Sequence, residues 1–171
     1  MSDGCKSAQQ VNKERTVVES MADLADPSSV ETVQAICAPP IGWQIEPLKK
    51  SQRHAHQIWM SPTRRTAYGV IHMKLPLPVG ENLVLQAYLR EMKRSEGEAV
   101  LLSEEKDPKL PGLRFVAEGG MYKTRTNLIV DGWQAWAIYA GTVRGQDVMP
   151  DELDLAERAR EHTRIGLTAD K

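Results

Sequence analysis

The chain has 171 residues, with 22 Lys and Arg against 23 Asp and Glu, a formal net charge of −1, 41% hydrophobic residues and 5% aromatic ones. This profile excludes a collagen, a coiled coil, a disulfide-dense miniprotein and a chain disordered throughout. No apolar run approaches the ~20 residues that a membrane-spanning helix needs.

The N-terminal stretch reads in two ways. Met1 to Cys5 carries no signal peptide, which makes the protein as given a soluble, cytosolic one. Gly4-Cys5-Lys6-Ser7 also looks like the cleaved start of a bacterial lipoprotein, although the residues before Gly4 are not apolar. On that alternative Cys5 carries a lipid anchor and the protein is extracytoplasmic and membrane-tethered. The two cysteines, Cys5 and Cys37, stand 32 apart and form no Cys-x-x-Cys pair, so a zinc or redox motif of the usual spacing is absent. Two free thiols are the default, and a Cys5–Cys37 pair is the alternative in an oxidising compartment.

Along residues 1–26, Val17, Met21, Leu24 and Ala25 fall at helical spacing among polar neighbours, which gives a helix that is marginal unless it docks. Asp26-Pro27-Ser28 breaks it. Ser28 and Glu31 fit a capping box, so Ser29 to Cys37 is expected as a short second helix, ended by Ala38-Pro39-Pro40. The domain boundary is placed here: an arm over 1–38, partly helical or flexible, a domain over 39–167, and a tail over 168–171.

Gly42 to Pro47 reads as a strand with Trp43 and Ile45 on one face. After the polar loop Lys49 to Arg53, His54–Met60 and Ala67–Leu75 read as a hairpin around Ser61-Pro62-Thr63-Arg64-Arg65-Thr66. Glu81 to Lys93 is the clearest helix, with Val84, Leu85, Tyr88, Leu89 and Met92 on its apolar face and Gly97 beyond its end. Strands follow over Glu98–Ser103 and Leu113–Glu118, separated by the loop Lys106 to Gly112, with Gly119-Gly120 as a bulge or turn. Met121–Val130 and Trp133–Val143 flank Asp131-Gly132, a dipeptide that favours a two-residue hairpin turn. Pro150 opens a last helix, through about Thr163, with Asp151, Glu152 and Asp154 near its positive end.

Hairpins make the sheet antiparallel. The runs Ala67 to Ile71 and Ala135 to Ala140 are apolar on both sides of the strand, which predicts a sheet covered on both faces. The predicted fold class is therefore α+β, an antiparallel sheet with helices on each face. Positive charge concentrates in the two hairpins: residues 39–79 carry net +5 and 121–145 net +2.

The Pro39-Pro40-x-Gly42-Trp43 lead into a first strand, the order of the following elements, the Gly-led strand before a long hairpin and the closing helix together resemble the PsbP-like (Mog/PsbP) family. The resemblance spans about 39–167. It implies an α/β/α sandwich and a binding or assembly module rather than an enzyme. No family site motif matches, so the resemblance assigns no partner-binding residue here.

Three constellations carry candidate chemistry. His54 and His56 share a strand face, and His72 lies on the hairpin partner. Three imidazoles of neighbouring strands can hold zinc with a position open for water, as in a metal-dependent hydrolase. Register parity decides: if Met60 pairs with Ala67, His72 faces away, and with a loop one residue shorter the three converge. The second is a cationic surface. Lys123, Arg125 and Asn127 share one face with Trp136 and Ile138, and Arg64 and Arg65 sit at the other hairpin's tip. Aromatic and cationic groups together suit an anionic protein partner, while aliphatic stems lying over the sheet are the plainer reading. No nucleic-acid motif is present, and the overall charge gives no support for a nucleic-acid partner. The third is a small-ligand pocket between sheet and helix.

The four tryptophans read mainly as core anchors, with Trp133 as the one that could meet a partner. No GxSxG, HExxH, P-loop or GxGxxG motif supports catalysis. Glu104, Glu105 and Asp107 read as a solvated acidic loop. Arg158, Arg160, Arg164, Glu157 and Glu161 read as a salt-bridged exposed helix face. The expectation is thus a non-catalytic protein-binding or assembly module with no cofactor, placed at the bacterial cell envelope on the lipoprotein alternative. Its surface would combine Lys123, Arg125 and Trp136 with Arg64 and Arg65. The three-histidine hydrolase and the small-ligand domain stand as alternatives.

Overall fold

The computed structural model describes residues 22–47, 54–106 and 112–166. The candidate helix up to position 21, Cys5, the loop around 48–53 and the tail lie outside them.

Seven strands form the main sheet: β3 (Gln44–Ile45), β4 (Ala55–Met60), β5 (Thr66–Lys74), β6 (Ala99–Glu105), β7 (Leu113–Gly119), β8 (Tyr122–Asp131) and β9 (Gln134–Val143). Their spatial order is β3-β4-β5-β9-β8-β7-β6, and every neighbouring pair is antiparallel. A second sheet joins β1 (Ser28–Val30), β2 (Ala35–Cys37) and β10 (Arg164–Ile165) in the order β1-β2-β10. Two helices complete the described residues, α1 (Glu81–Glu96) and α2 (Pro150–Glu161).

The segment Ser29 to Cys37 is a β-hairpin, not the expected helix. A 3₁₀ turn over Glu31–Val33 and a left-handed Gln34 (φ 48°) link β1 to β2. Val30, Thr32, Val33 and Ile36 are β-branched, stiff at χ1 and better placed on a pleated surface than in a helix. The pull of the Ser28–Glu31 capping pattern is outweighed by burial of Val33, Ala35 and Cys37 against the main sheet. Core residues are therefore supplied ahead of position 39, and Leu24 is buried with them. The closing strand β10, which holds β2 from its other side, has no counterpart in the sequence reading.

Alternation along the strands sorts the core into two clusters. Tyr68, Val70, Trp136 and Ile138 pack with Trp43, Trp59, Val33 and Cys37, and with Ala156 and Ala159 of α2. We call this the first face of the sheet. Ala135 and Ala137, one residue out of phase, pack with Leu113, Phe115, Ala117 and Leu128, and with Val84, Leu85 and Met92 of α1. This is the second face. The helix α1 ends where the sequence places its stop: Gly97 takes the left-handed conformation, and its N–H donates to the Lys93 carbonyl at 2.9 Å.

The β8–β9 turn falls one residue later than Asp131-Gly132 predicts. Asp131 pairs with Gln134, so Gly132 and Trp133 are the central residues, with positive φ at Gly132. This moves the register by two residues and leaves every side chain on its expected face, because the strand period is two. Trp43 is buried but Ile45 is exposed, so the first predicted strand does not present both to the core.

Candidate interaction surface

The histidines separate. Met60 pairs with Ala67 and Ala55 with His72, so His72 lies on the first face and His56 on the second. His54 is exposed ahead of β4. The three do not converge, and among the described residues no group of three His, Cys, Asp or Glu is arranged to hold a metal ion. His72 is buried and His56 half-buried, and each imidazole has a structural partner instead. His72 stacks on Trp136 with ring centroids 4.9 Å apart, and its Nε2 shares a 2.8 Å hydrogen bond with Gln134 Oε1. His56 Nε2 shares a 2.7 Å hydrogen bond with Tyr139 Oη, and burial pushes its pKa down to about 4.

The predicted cationic surface is only partly assembled. Trp136 is a core residue: it is buried on the first face, and its indole N–H donates to the Val33 carbonyl at 3.0 Å. The apolar ring and a carbonyl acceptor within reach make burial favourable, so Trp136 is not a surface for a partner. Arg64 sits in the β4–β5 turn with φ 60° and contacts both carboxylate oxygens of Glu46, at 2.9 and 3.0 Å. Arg65 reaches Met149 ahead of α2, with 3.7 Å between Nη1 and Sδ.

Lys123 and Arg125 do share a face, and it is the first one. Strand pairing sets Lys123 beside Glu118, Arg125 beside Val116 and Asn127 beside Arg114. Here the two faces of the sheet differ. On the second face α1 packs along β6, β7 and β8, whereas on the first face α2 packs on β5 and β9 and the 3₁₀ turn on β4 and β5. Among the described residues the first face of β6, β7 and β8 thus meets α2 at its border, on β8, with Lys123 and Arg125 exposed and Arg114, Val116, Glu118 and Asn127 half-buried.

Charges on this open face are cross-linked to its border. Arg125 meets Glu157 of α2 at 2.8 Å, and Arg144 holds Glu118 at 2.7 Å and Glu98 at 3.3 Å. Arg160, expected on an exposed helix face, is buried where α2 meets β8, and its Nη1 donates to Asn127 Oδ1 at 2.5 Å. Desolvation lowers its pKa, while the nearby Glu157 and Glu161 oppose that shift. Arg158 fits the salt-bridged helix reading, with Asp154 at 3.0 Å. The polar–apolar alternation Leu113-Arg114-Phe115-Val116-Ala117-Glu118 was the sequence signal for the open face. It places Arg114 with Lys123 and Arg125, and sequence reasoning passed over it.

Two surface grooves flank the sheet ends. One, of about 780 Å³, lies between Gly80 to Leu83 at the start of α1 and Glu104, Lys106 and Leu113. The other, of about 270 Å³, lies by Gly42, Gln44, Met60, Ser61, Pro62 and Arg64. The first opens widely to solvent and the second is lined mainly by polar groups, so neither has the enclosed apolar lining of a small-molecule site. No described helix is long and apolar enough to cross a membrane.

Comparison with protein-family models and with curated proteins finds no match. Among solved structures, the solution structure of cyanobacterial PsbP (CyanoP) from Synechocystis sp. PCC 6803 superposes with a TM-score of 0.58 at 13% identity, covering 84% of this chain and 93% of that one. A structure from Bacteroides thetaiotaomicron VPI-5482 matches at a TM-score of 0.43 and 12% identity, covering 86% of this chain and 50% of that one. The first of these shows a PsbP-like fold.

Proposed function

Taking the PsbP-like fold as the frame, we propose that the protein is a non-catalytic protein-binding or assembly module. We read its two helices as completing an α/β/α sandwich and its docking surface as the first face of β6, β7 and β8. One observation carries the reading: Lys123 and Arg125 are exposed on β8, which α2 touches through Glu157 and Arg160 at its border, beside Arg114. A partner presenting acidic groups would exchange the Arg125–Glu157 pair for contacts of its own. Such exposed pairs are worth little and are readily traded. The register that parts His56 from His72 removes the geometric basis of a three-histidine hydrolase. Attachment to a bacterial envelope through Cys5 rests on Gly4 to Ser7 of the sequence alone.

The test compares the immobilised chain with a Lys123→Glu/Arg125→Glu variant as bait in extracts of the source organism. The expected result is a partner retained by the first, lost by the second by about tenfold or more, and released as salt rises through the Debye range. A partner held equally by both baits and indifferent to salt would overturn the reading.

A further inference from the structure

We infer that the free edge of the sheet, β6, takes up an extended, basic strand of a partner protein by β-addition. This deepens the protein-binding reading and rests on it. The two edges of the main sheet are built differently. The edge strand β3 has two residues, Gln44 and Ile45, and Pro47 follows it closely, so little backbone is offered there. The opposite edge, β6, has seven residues, and among the described residues its pairing is with β7 on one side only. A strand of that length leaves a row of backbone donors and acceptors for another chain.

Side chains point the same way. Val100, Leu101 and Leu102 are consecutive and 44%, 36% and 48% exposed. Val100 belongs to the open first face, through its pairing with Glu118, and Leu101 to the second, through Ala117. Leu102 is an extra residue between the pairs Leu101–Ala117 and Ser103–Val116, a bulge that locally twists the edge. Apolar side chains on both sides of an unpaired edge match the alternate side chains of an added strand.

Charge selects the occupant. Within Ala99 to Glu105 the ionisable residues are Glu104 and Glu105, with Glu98 just ahead. Their nearest cation, Lys106, follows Glu105 directly and pairs with Glu81 of α1 at 3.4 Å, while Arg114 is the cross-strand partner of Glu105 one strand further in, and Arg144 meets Glu98 at 3.3 Å. An incoming strand therefore meets the acids first. A second copy is disfavoured, because antiparallel self-pairing centred between Leu101 and Leu102 sets Glu98 opposite Glu105 of the other molecule, and like charges directly opposed destabilise a ladder. A strand alternating basic and apolar residues satisfies both the acids and the exposed aliphatics.

The experiment uses the full chain and two synthetic peptides, one alternating lysine with valine and one alternating glutamate with valine. Amide hydrogen exchange is read residue by residue. The lysine peptide is expected to slow exchange within 99–105 by about tenfold, with that protection lost in a Glu104→Lys/Glu105→Lys variant whose circular dichroism matches the parent. Absence of protection at millimolar peptide, or equal protection by the glutamate peptide, would overturn the inference. So would a dimer in light scattering that protects β6 without peptide. A chain that loses its captured partner in Lys123→Glu/Arg125→Glu, yet shows no β6 protection, keeps the docking face and loses strand addition alone.

Discussion

Gly69 and Tyr139 are directly paired across β5 and β9, and the tyrosine ring occupies the space that a side chain at 69 would fill. A Cβ built on Gly69 would lie 2.4 Å from both Cζ and Oη of Tyr139. Gly69 has no positive φ, so sterics and not backbone strain require glycine here. Gly69→Ala is expected to cost about 1–3 kcal/mol by overpacking. Urea unfolding measures it, and the loss should be smaller in a Tyr139→Leu background, since residues in contact do not add. Additive losses would show that the ring does not lie over Gly69.

The same ring carries a pH signature, because its hydroxyl meets His56 at 2.7 Å. Burial holds the His56 pKa at about 4, below the ordinary 6.5. Between those values the unfolded chain binds the proton and the folded chain does not, so this contribution is complete above pH 6.5. It falls away as pH drops towards 4 and is flat below. With allowance for its partial exposure the change is of the order of 2 kcal/mol. The parent should lose stability over this window more steeply than His56→Gln. An imidazole titration midpoint near 6.5 by NMR would contradict it.

Cys37 is a buried thiol on β2, and burial raises its pKa, partly offset by a hydrogen bond with Tyr68. A raised pKa and a covered sulfur both slow thiolate chemistry. In a Cys5→Ala chain, a disulfide-exchange reagent should find no reactive thiol in the native protein and one after denaturation. Rapid native labelling would mean that β2 opens readily from the main sheet.

The parts of the fold set by local pattern were legible. The helix at Glu81 showed its apolar stripe and its Gly97 stop, and the hairpins showed their turns. Even the two-residue error at Gly132 spared the faces, because strand side chains alternate with period two. What failed was decided at a distance. Ser29 to Cys37 has a helix cap pattern, and only contact with a sheet formed by residues far along the chain makes it a hairpin. The histidine register depended on a single loop residue. The open face depended on where α2 comes to rest, which no local spacing encodes. The strand period puts Trp136 on the correct face, but the segment that buries it, at Val33, reads locally as part of an arm.

That last relationship yields a prediction that separates core from surface. Trp136 ties the small sheet to the main one through its bond to the Val33 carbonyl, whereas Trp133 stands 59% exposed at the β8–β9 turn. Trp136→Phe keeps an aromatic ring over His72, leaves the buried Val33 carbonyl without its donor and opens a small void. The expected cost is about 2–4 kcal/mol. Trp133→Ala removes little packing and should stay within about 0.5 kcal/mol of the parent. Hydrogen exchange should further show residues 28–37 losing protection in Trp136→Phe before the main sheet does, because the broken bond lies between the two sheets. If the two substitutions cost the same, or if exchange rises uniformly through β5 and β9 instead, the indole is not the tether.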